Sequence, residues 1–248
     1  MMNIEIIFLG TNGWSDTPIG STLSVLVRAG SEIFILDAGM GLHRVDRFIS
    51  PKSEAKLLLS HFHLDHVAGL HTLAKAPFAA LDIFGPCGAR AALATLVSDP
   101  YTCSLEKLGY PVRVHEVPND PLPAGVSCAL LHHNVCCLGY RLELNGRIIA
   151  FCTDTGPCNS AVQLAQRADL LVAECSLPPG ATRTSGDTHL SPEMAANIAR
   201  EAGVRQLMLV HFDPTNYPTA RERNSAAKAA QQLFPRTEAA QDEQILRL

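Results

Sequence analysis

The stretch Ser60-His61-Phe62-His63-Leu64-Asp65-His66 sets three imidazoles and a carboxylate within a few residues of one another. In an extended segment, residues two apart point to the same side, so His61 and His63 can grip one ion between them. Asp65 and His66 follow where the chain is expected to turn into a helix, which aims them from another direction at a second ion nearby. Imidazole nitrogens with carboxylate oxygens suit Zn²⁺, with Mn²⁺ or Fe as alternatives, and three protein ligands per ion leave positions open for chemistry. An accidental cluster of surface histidines is the competing explanation, and the strand-to-helix setting argues against it.

The elements that must hold this motif follow from the hydrophobic pattern. An apolar run at 55–59 delivers the chain into His61 as a short buried strand, and 67–75 is expected to continue as a helix. Strands are expected ahead of it at 4–9, 23–27 and 33–36, then a strand at 81–84 and a helix at 89–97 after it. The second half opens with strands at 112–117, 126–131, 138–144 and 148–152, the last two joined by the hairpin dipeptide Asn145-Gly146. A helix at 160–167, a strand at 170–173, a loop rich in Gly, Pro, Ser and Thr at 176–190 and a helix at 192–202 come next. A strand at 206–210, a helix at 219–233 and a strand at 244–246 close the pattern. Each half sets strands before helices, which predicts a single α/β domain over 1–248 made of two similar halves meeting near 120.

Composition narrows the class. With 248 residues, 47% of them hydrophobic, the chain can bury a sizeable core and is not disordered. A formal charge of −4 offers no footprint for general nucleic-acid binding. No apolar run approaches the roughly 18 residues of a membrane span, and Met1 to Leu9 lacks a basic, cleavable leader, so a soluble cytoplasmic protein is expected. Eight cysteines without a CxxC pair suit reduced thiols in that compartment. Ten histidines are the surplus that asks for a reason.

The segment from Ser60 to Leu70, Ser-His-Phe-His-Leu-Asp-His-Val-Ala-Gly-Leu, resembles the signature of the metallo-β-lactamase-fold hydrolases. The likeness extends to Phe8-Leu9-Gly10-Thr11 and Leu36-Asp37-Ala38-Gly39 before it and to His133, Asp154 and His211 after it. The resemblance implies a four-layer αββα sandwich with a two-metal site at one edge of the sheets. It implies that His61, His63 and His133 hold one ion, that Asp65, His66 and His211 hold the other, and that Asp154 bridges both. His133 is preferred to His132 because it stands six residues before Gly139-Tyr140, the spacing this family shows. Taken alone, Asp154 would serve as a turn or helix cap. His211 follows an apolar strand, a position where sites are commonly built.

Asp65 to Leu70, the pair Gly139-Tyr140, and Glu174 with His189 resemble the branch that includes the tRNA 3′-processing endonuclease RNase Z and small cyclic-phosphate phosphodiesterases. By that resemblance His189 stabilises the transition state or protonates the leaving oxygen, Glu174 orients His189 or a ligand histidine, and Asp65 counts among the catalytic residues as well as the ligands. Two divalent ions would lower the pKa of a water between them, and the hydroxide would attack phosphorus. RNase Z enzymes carry a Gly/Pro-rich arm that grips tRNA, inserted between the positions matching His133 and Asp154. Here only twenty residues separate the two, and a plain hairpin uses them up. The expected substrate is therefore a small cyclic or nucleotide-derived phosphodiester rather than tRNA, with no membrane partner and a homodimer left open.

Two other functions compete. An acyl hydrolase of the lactonase, thioesterase or β-lactamase type would use the same ions and need no His189, whereas a non-catalytic metal-binding sensor would be expected to lack part of the ligand set. His43, His71, His115 and His132 are expected to be structural or exposed. A thiolate ligand from Cys136 or Cys137 is a further alternative, although nitrogen and oxygen donors already fill the set. Asn216 and Tyr217 either line the pocket or only shape a loop.

Overall fold

Alternation along the first strand sorts its side chains between two cores. In β1 (Ile4–Gly10), Ile4, Ile6 and Phe8 join one buried cluster while Ile7 and Leu9 join another, as the two-residue period of a strand requires. The same division continues through β2 (Ser24–Ala29), β3 (Glu32–Leu36), β4 (Ser53–Leu58), β5 (Phe78–Pro86) and β6 (Val112–Val117). The computed structural model describes residues 4–182, 184 and 186–248.

The second half supplies β7 (Val126–Leu130), β8 (Leu138–Leu144), β9 (Arg147–Cys152), β10 (Leu170–Glu174), β11 (Leu207–Val210) and β12 (Thr237–Ala239), and β13 (Ile245–Arg247) returns to the first sheet. Among the described residues the strands form a seven-stranded sheet, ordered β13-β1-β2-β3-β4-β5-β6, and a six-stranded sheet, ordered β12-β11-β10-β9-β8-β7. One core lies between the sheets, where Phe8, Phe34 and Phe84 meet Tyr140, Phe151 and Val210. Outside the second sheet pack α3 (Asn159–Ala165), α4 (Pro192–Ala202) and α5 (Ala220–Gln231), whose alanine-rich faces let them approach Ala150, Leu171 and Leu209. Outside the first sheet lie α1 (Leu64–Val67), α2 (Ala89–Leu96) and 3-10 turns at Met40–Arg47 and Ala68–Lys75. The layers are therefore αββα, as the sequence predicts.

Central strands such as β10, Leu-Leu-Val-Ala-Glu, are buried throughout because both faces are covered. Among the described residues no helix is long and apolar enough to cross a membrane. All eight cysteines are free thiols.

Two local expectations differ from the structure. The helix expected over 67–75 is a single α turn, α1, that tightens into a 3-10 helix over Ala68–Lys75. The Gly69 N–H donates to the Ala38 carbonyl at 2.8 Å instead of continuing the α ladder. This tie needs a glycine, since a Cβ on residue 69 would lie 2.0 Å from the Gly39 carbonyl oxygen. The short strand β12 has no counterpart in the pattern, because three residues carry no measurable alternation. By contrast α4 begins as its sequence suggests: Ser191 accepts the Met194 N–H through its side chain and Pro192 occupies the first turn. Replacing Ser191 with Ala is expected to lower stability by about 1 kcal/mol. Urea unfolding would read this, and an unchanged midpoint would refute the cap.

Candidate metal centre

Four strand ends carry the chain into one depression. β4 runs out into Leu59-Ser60-His61, β9 into Thr153-Asp154, β10 ends on Glu174, and His211 follows β11 directly. Because β9, β10 and β11 are parallel neighbours, their carboxyl ends open at the same edge, where α/β sheets commonly set their ligands. Asp37, Asp154 and His211 hold positive φ angles of 57°, 46° and 55°. Left-handed conformations in such residues cost about 1–3 kcal/mol each, so the hydrogen bonds around this centre maintain a backbone that would not adopt it unaided.

The imidazoles are locked from behind. Ser60 Oγ donates to Asp37 Oδ2 at 2.8 Å, so His61 Nδ1–H donates to Ser60 Oγ at 2.9 Å. His66 Nδ1–H donates to Asp37 Oδ2 at 2.8 Å. Ser176 Oγ donates to the His211 carbonyl at 3.0 Å and accepts from His211 Nδ1–H at 2.9 Å. His133 Nδ1–H donates to the Thr188 carbonyl at 3.3 Å. With the outer nitrogens protonated, these four rings turn their Nε2 lone pairs inwards. His63 offers Nδ1 instead, 3.4 Å from His133 Nε2.

The inward atoms form two groups. His61, His63, His133 and Asp154 offer atoms within 4.8 Å of one another, and Asp65, His66 and His211 do the same. Asp154 stands between the groups. Its Oδ2 is 3.8 Å from the Nε2 of both His61 and His133, and its Oδ1 is 3.1 Å from His66 Nε2 and 3.2 Å from His211 Nε2. Asp65 Oδ2 lies 3.2 Å from His211 Nε2 and 3.5 Å from His66 Nε2. All seven residues expected from the sequence as ligands thus converge on one centre.

This donor set suits divalent cations. His61 Nε2 is buried without a hydrogen-bond partner, and His66 Nε2 faces His211 Nε2 at 3.1 Å. Two lone pairs at that separation repel unless a proton or cation lies between them, and nitrogens around a tetrahedral Zn²⁺ sit about 3.3 Å apart. Burial, then the neighbouring His66, pushes the His61 imidazole down to about 2, which keeps it a neutral donor. Burial lowers His133 too. At His66 and His211 burial acts the same way but is outweighed, chiefly by Asp154, and both are raised. Burial opposes ionisation of Asp154 and Asp65, yet the facing histidines hold both below the usual carboxylate range. Protons that balance carboxylates in this way are what a bound cation would displace.

His189 and Glu174 stand beside the two groups. His189 Nδ1–H donates to Glu174 Oε1 at 2.8 Å, and the buried Glu174 also accepts the N–H groups of Thr155 at 2.8 Å and Ser176 at 3.2 Å. Burial alone would lower the His189 imidazole, but the charge and hydrogen bond of Glu174 overcome this and raise it to about 9. Its other nitrogen is left facing Asp154 and His211, within the same 4.8 Å span. The depression is a cavity of about 430 Å³ whose mouth is edged by Trp14, Leu64 and Asn134.

Several residues lie elsewhere or act from behind. His43, His71 and His132 are exposed, and His115 stacks on Phe84 beside Asp82. Cys136 is exposed, burial raises the Cys137 thiol, whose Sγ donates to the Thr153 carbonyl at 3.5 Å, and among the described residues neither belongs to the groups of inward-facing donors. Asn216 and Tyr217 pin Ser176 and Leu177 rather than edging the cavity. Asp37, Ser60 and Ser176 were not foreseen as the residues that orient the rings. Asp37 had a signal in its Leu-Asp-Ala-Gly setting, whereas Ser176 had none.

A two-sheet αββα sandwich with histidines and aspartates gathered at one edge is the architecture of a metal-dependent hydrolase of the metallo-β-lactamase type. A family profile described as beta-lactamase superfamily domain matches residues 33–212, and the chain belongs to that superfamily. It is similar to the ribonuclease Z of Nostoc sp. (strain PCC 7120 / SAG 25.82 / UTEX 2576), 29% identical over 306 aligned positions that cover 96% of this chain and 93% of that protein. Since the alignment is longer than the chain, that relative carries stretches absent here. The fold is similar to that of the metallo-beta-lactamase fold protein YhfI from Bacillus subtilis, with a TM-score of 0.81 and 22% identity, covering 99% of this chain and 100% of that one. It is also similar to the short form of human tRNase Z, with a TM-score of 0.75 and 21% identity over 98% of both chains.

Proposed function

We propose that the chain is a phosphodiesterase holding two divalent ions, Zn²⁺ in the first instance, and acting on a small cyclic or nucleotide-derived phosphodiester. The observation that carries this reading is Asp154, which turns one carboxylate oxygen to each of two donor groups. His61, His63 and His133 would hold one ion, Asp65, His66 and His211 the other, and Asp154 both. Ions bound there would supply Lewis acidity for the phosphoryl oxygens and acidify a water.

The chain's own residues do the rest. Glu174 keeps His189 protonated at neutral pH, with the nitrogen away from Glu174 carrying a proton for the departing oxygen. Asp65, whose Oδ2 accepts the backbone N–H of Trp14 at 2.8 Å, would be the carboxylate that takes the proton of an attacking water. Between His133 and Asp154 the chain makes only β8, a tight turn and β9, leaving no arm to hold a tRNA. A cavity of about 430 Å³ matches a nucleotide-sized ligand. The single domain spans 1–248 and works in the cytoplasm, where its free thiols stay reduced.

Metal analysis of the purified protein followed by a substrate panel tests this. A bis-aryl phosphate, a cyclic nucleotide, a precursor tRNA, a lactone, a thioester and a β-lactam would be compared. Turnover of the small phosphodiesters is expected. Activity confined to the acyl substrates would overturn the phosphodiesterase reading, and cleavage of precursor tRNA alone would overturn the small substrate.

A further inference from the structure

We propose that Trp14 is the platform on which the base of a nucleotide substrate stacks, which makes it the residue that selects a nucleotide among phosphodiesters. The inference rests on the phosphodiesterase reading above and names its substrate class. Trp14 is the only tryptophan of the chain and is 74% exposed. It lines the same cavity as His63, Asp154 and His189, so the indole borders the space that a phosphodiester bound at those residues would share.

An exposed tryptophan on a loose loop would mean little, but this loop is braced at every step. Trp14 has a φ of 59°, and its N–H is held by Asp65. Gly13 donates its N–H to the Phe212 carbonyl at 3.0 Å and lies so close to the centre that a Cβ would fall 2.6 Å from the His211 ring. Asn12 Nδ2 donates to the carbonyls of Ser15 and Gly20, both at 2.9 Å, closing the loop on itself. Behind it the buried Arg223 lies over the Phe212 ring and donates to the side chains of Thr11 and Asn12. Asp242 accepts the Thr11 hydroxyl at 2.7 Å and the Ser21 N–H at 2.8 Å. The backbone that carries the indole is therefore ordered before any ligand arrives, which removes much of the entropy cost of using it for binding.

The chemistry of the cavity is divided accordingly. Its buried and half-buried lining is imidazole and carboxylate, and its exposed lining adds two large apolar side chains, Trp14 and Leu64, 74% and 67% exposed, beside the amide of Asn134. A ligand that satisfies both must join a phosphodiester to a planar ring at short range, which is the construction of a nucleotide. Stacking on an aromatic side chain accepts any base, because every base has a π face.

The lone tryptophan makes the test direct, since all indole emission comes from residue 14. The metal-loaded protein is titrated with adenosine 5′-monophosphate, with ribose 5-phosphate and with phenyl phosphate. Saturable quenching by the nucleotide and none by ribose 5-phosphate is expected. No quenching by the nucleotide, or equal quenching by ribose 5-phosphate, overturns the proposal, and phenyl phosphate matching the nucleotide overturns the choice of a base over any aryl group.

Kinetics provide the second arm. Trp14→Ala should lower the ratio of kcat/KM for thymidine 5′-(4-nitrophenyl phosphate) over methyl 4-nitrophenyl phosphate by about 10- to 100-fold, mostly through KM, and Trp14→Phe should restore most of it. An unchanged ratio overturns the proposal. If the wild-type protein hydrolyses neither ester, the phosphodiesterase reading fails, and the emission titration still decides whether Trp14 stacks on a base.

Discussion

Replacing Asp154 with Ala is expected to reduce phosphodiester hydrolysis by roughly a thousandfold or more, and to lower the metal content of dialysed protein at both positions. The magnitude follows from losing several kcal/mol of charge stabilisation at about 1.4 kcal/mol per tenfold in rate. The breadth of the effect follows from geometry. One carboxylate oxygen faces His66 and His211 at 3.1 and 3.2 Å, the other faces His61 and His133 at 3.8 Å, so this one side chain joins the two groups. Asp154→Asn keeps the shape and removes the charge, which separates electrostatics from packing and should lose nearly as much. Turnover within tenfold of wild type in either variant would sink the two-ion reading. Metal-to-protein ratios measured on the same samples would show whether the loss follows the ions.

The second large effect is expected at His189. His189→Ala should lower kcat by about 10²- to 10⁴-fold on substrates with an alkoxide leaving group, and far less on 4-nitrophenyl esters, whose leaving group departs without a proton. Equal losses on both would overturn proton donation in favour of charge stabilisation alone. The pH profile gives an independent reading. Glu174 holds the His189 imidazolium up to about 9 against the effect of burial. A step that needs the protonated ring therefore keeps its rate at neutral pH and loses it as the pH rises through that value. Glu174→Gln leaves burial unopposed by this neighbour, and the alkaline limb should fall towards the ordinary imidazole value of about 6.5 or below. A limb that stays in place would show that Glu174 does not position or charge His189.

These two residues differ in how far the sequence announces them. Asp154 sits in Thr153-Asp154-Thr155-Gly156, a setting that taken alone suits a turn as well as a metal, and its value comes from fitting together with His61, His63, Asp65, His66, His133 and His211. His189 and Glu174 are both expected from their likeness to one branch of the family, while the choice of His189 over a ligand histidine as the ring that Glu174 holds is decided only by contact between β10 and the loop before α4. Strand positions were legible because period-two alternation in β1 or β8 must match two packed sheets. The 3-10 continuation of α1 was not, because a hydrogen bond from Gly69 to Ala38, more than thirty residues away, decides it.

By itself the sequence determined an α/β domain of two similar halves, the His-x-His-x-Asp-His cluster and the short connection between His133 and Asp154; the αββα layering came from the resemblance that this cluster carries. The first three are local properties, written in alternation, in residue types a few positions apart, or in the length of a single segment. Only the tertiary structure decided which nitrogen each imidazole turns inwards. Those orientations depend on Asp37 and Ser176, which approach from other segments of the chain, and on Ser60, beside His61 but itself fixed by Asp37. It also decided that Trp14 stands at the mouth of the cavity. Nothing near residue 14 in the chain signals this, because the loop's course is set by Arg223 and Asp242 from the far end of the sequence, and hydrogen bonds between distant segments leave no periodic trace.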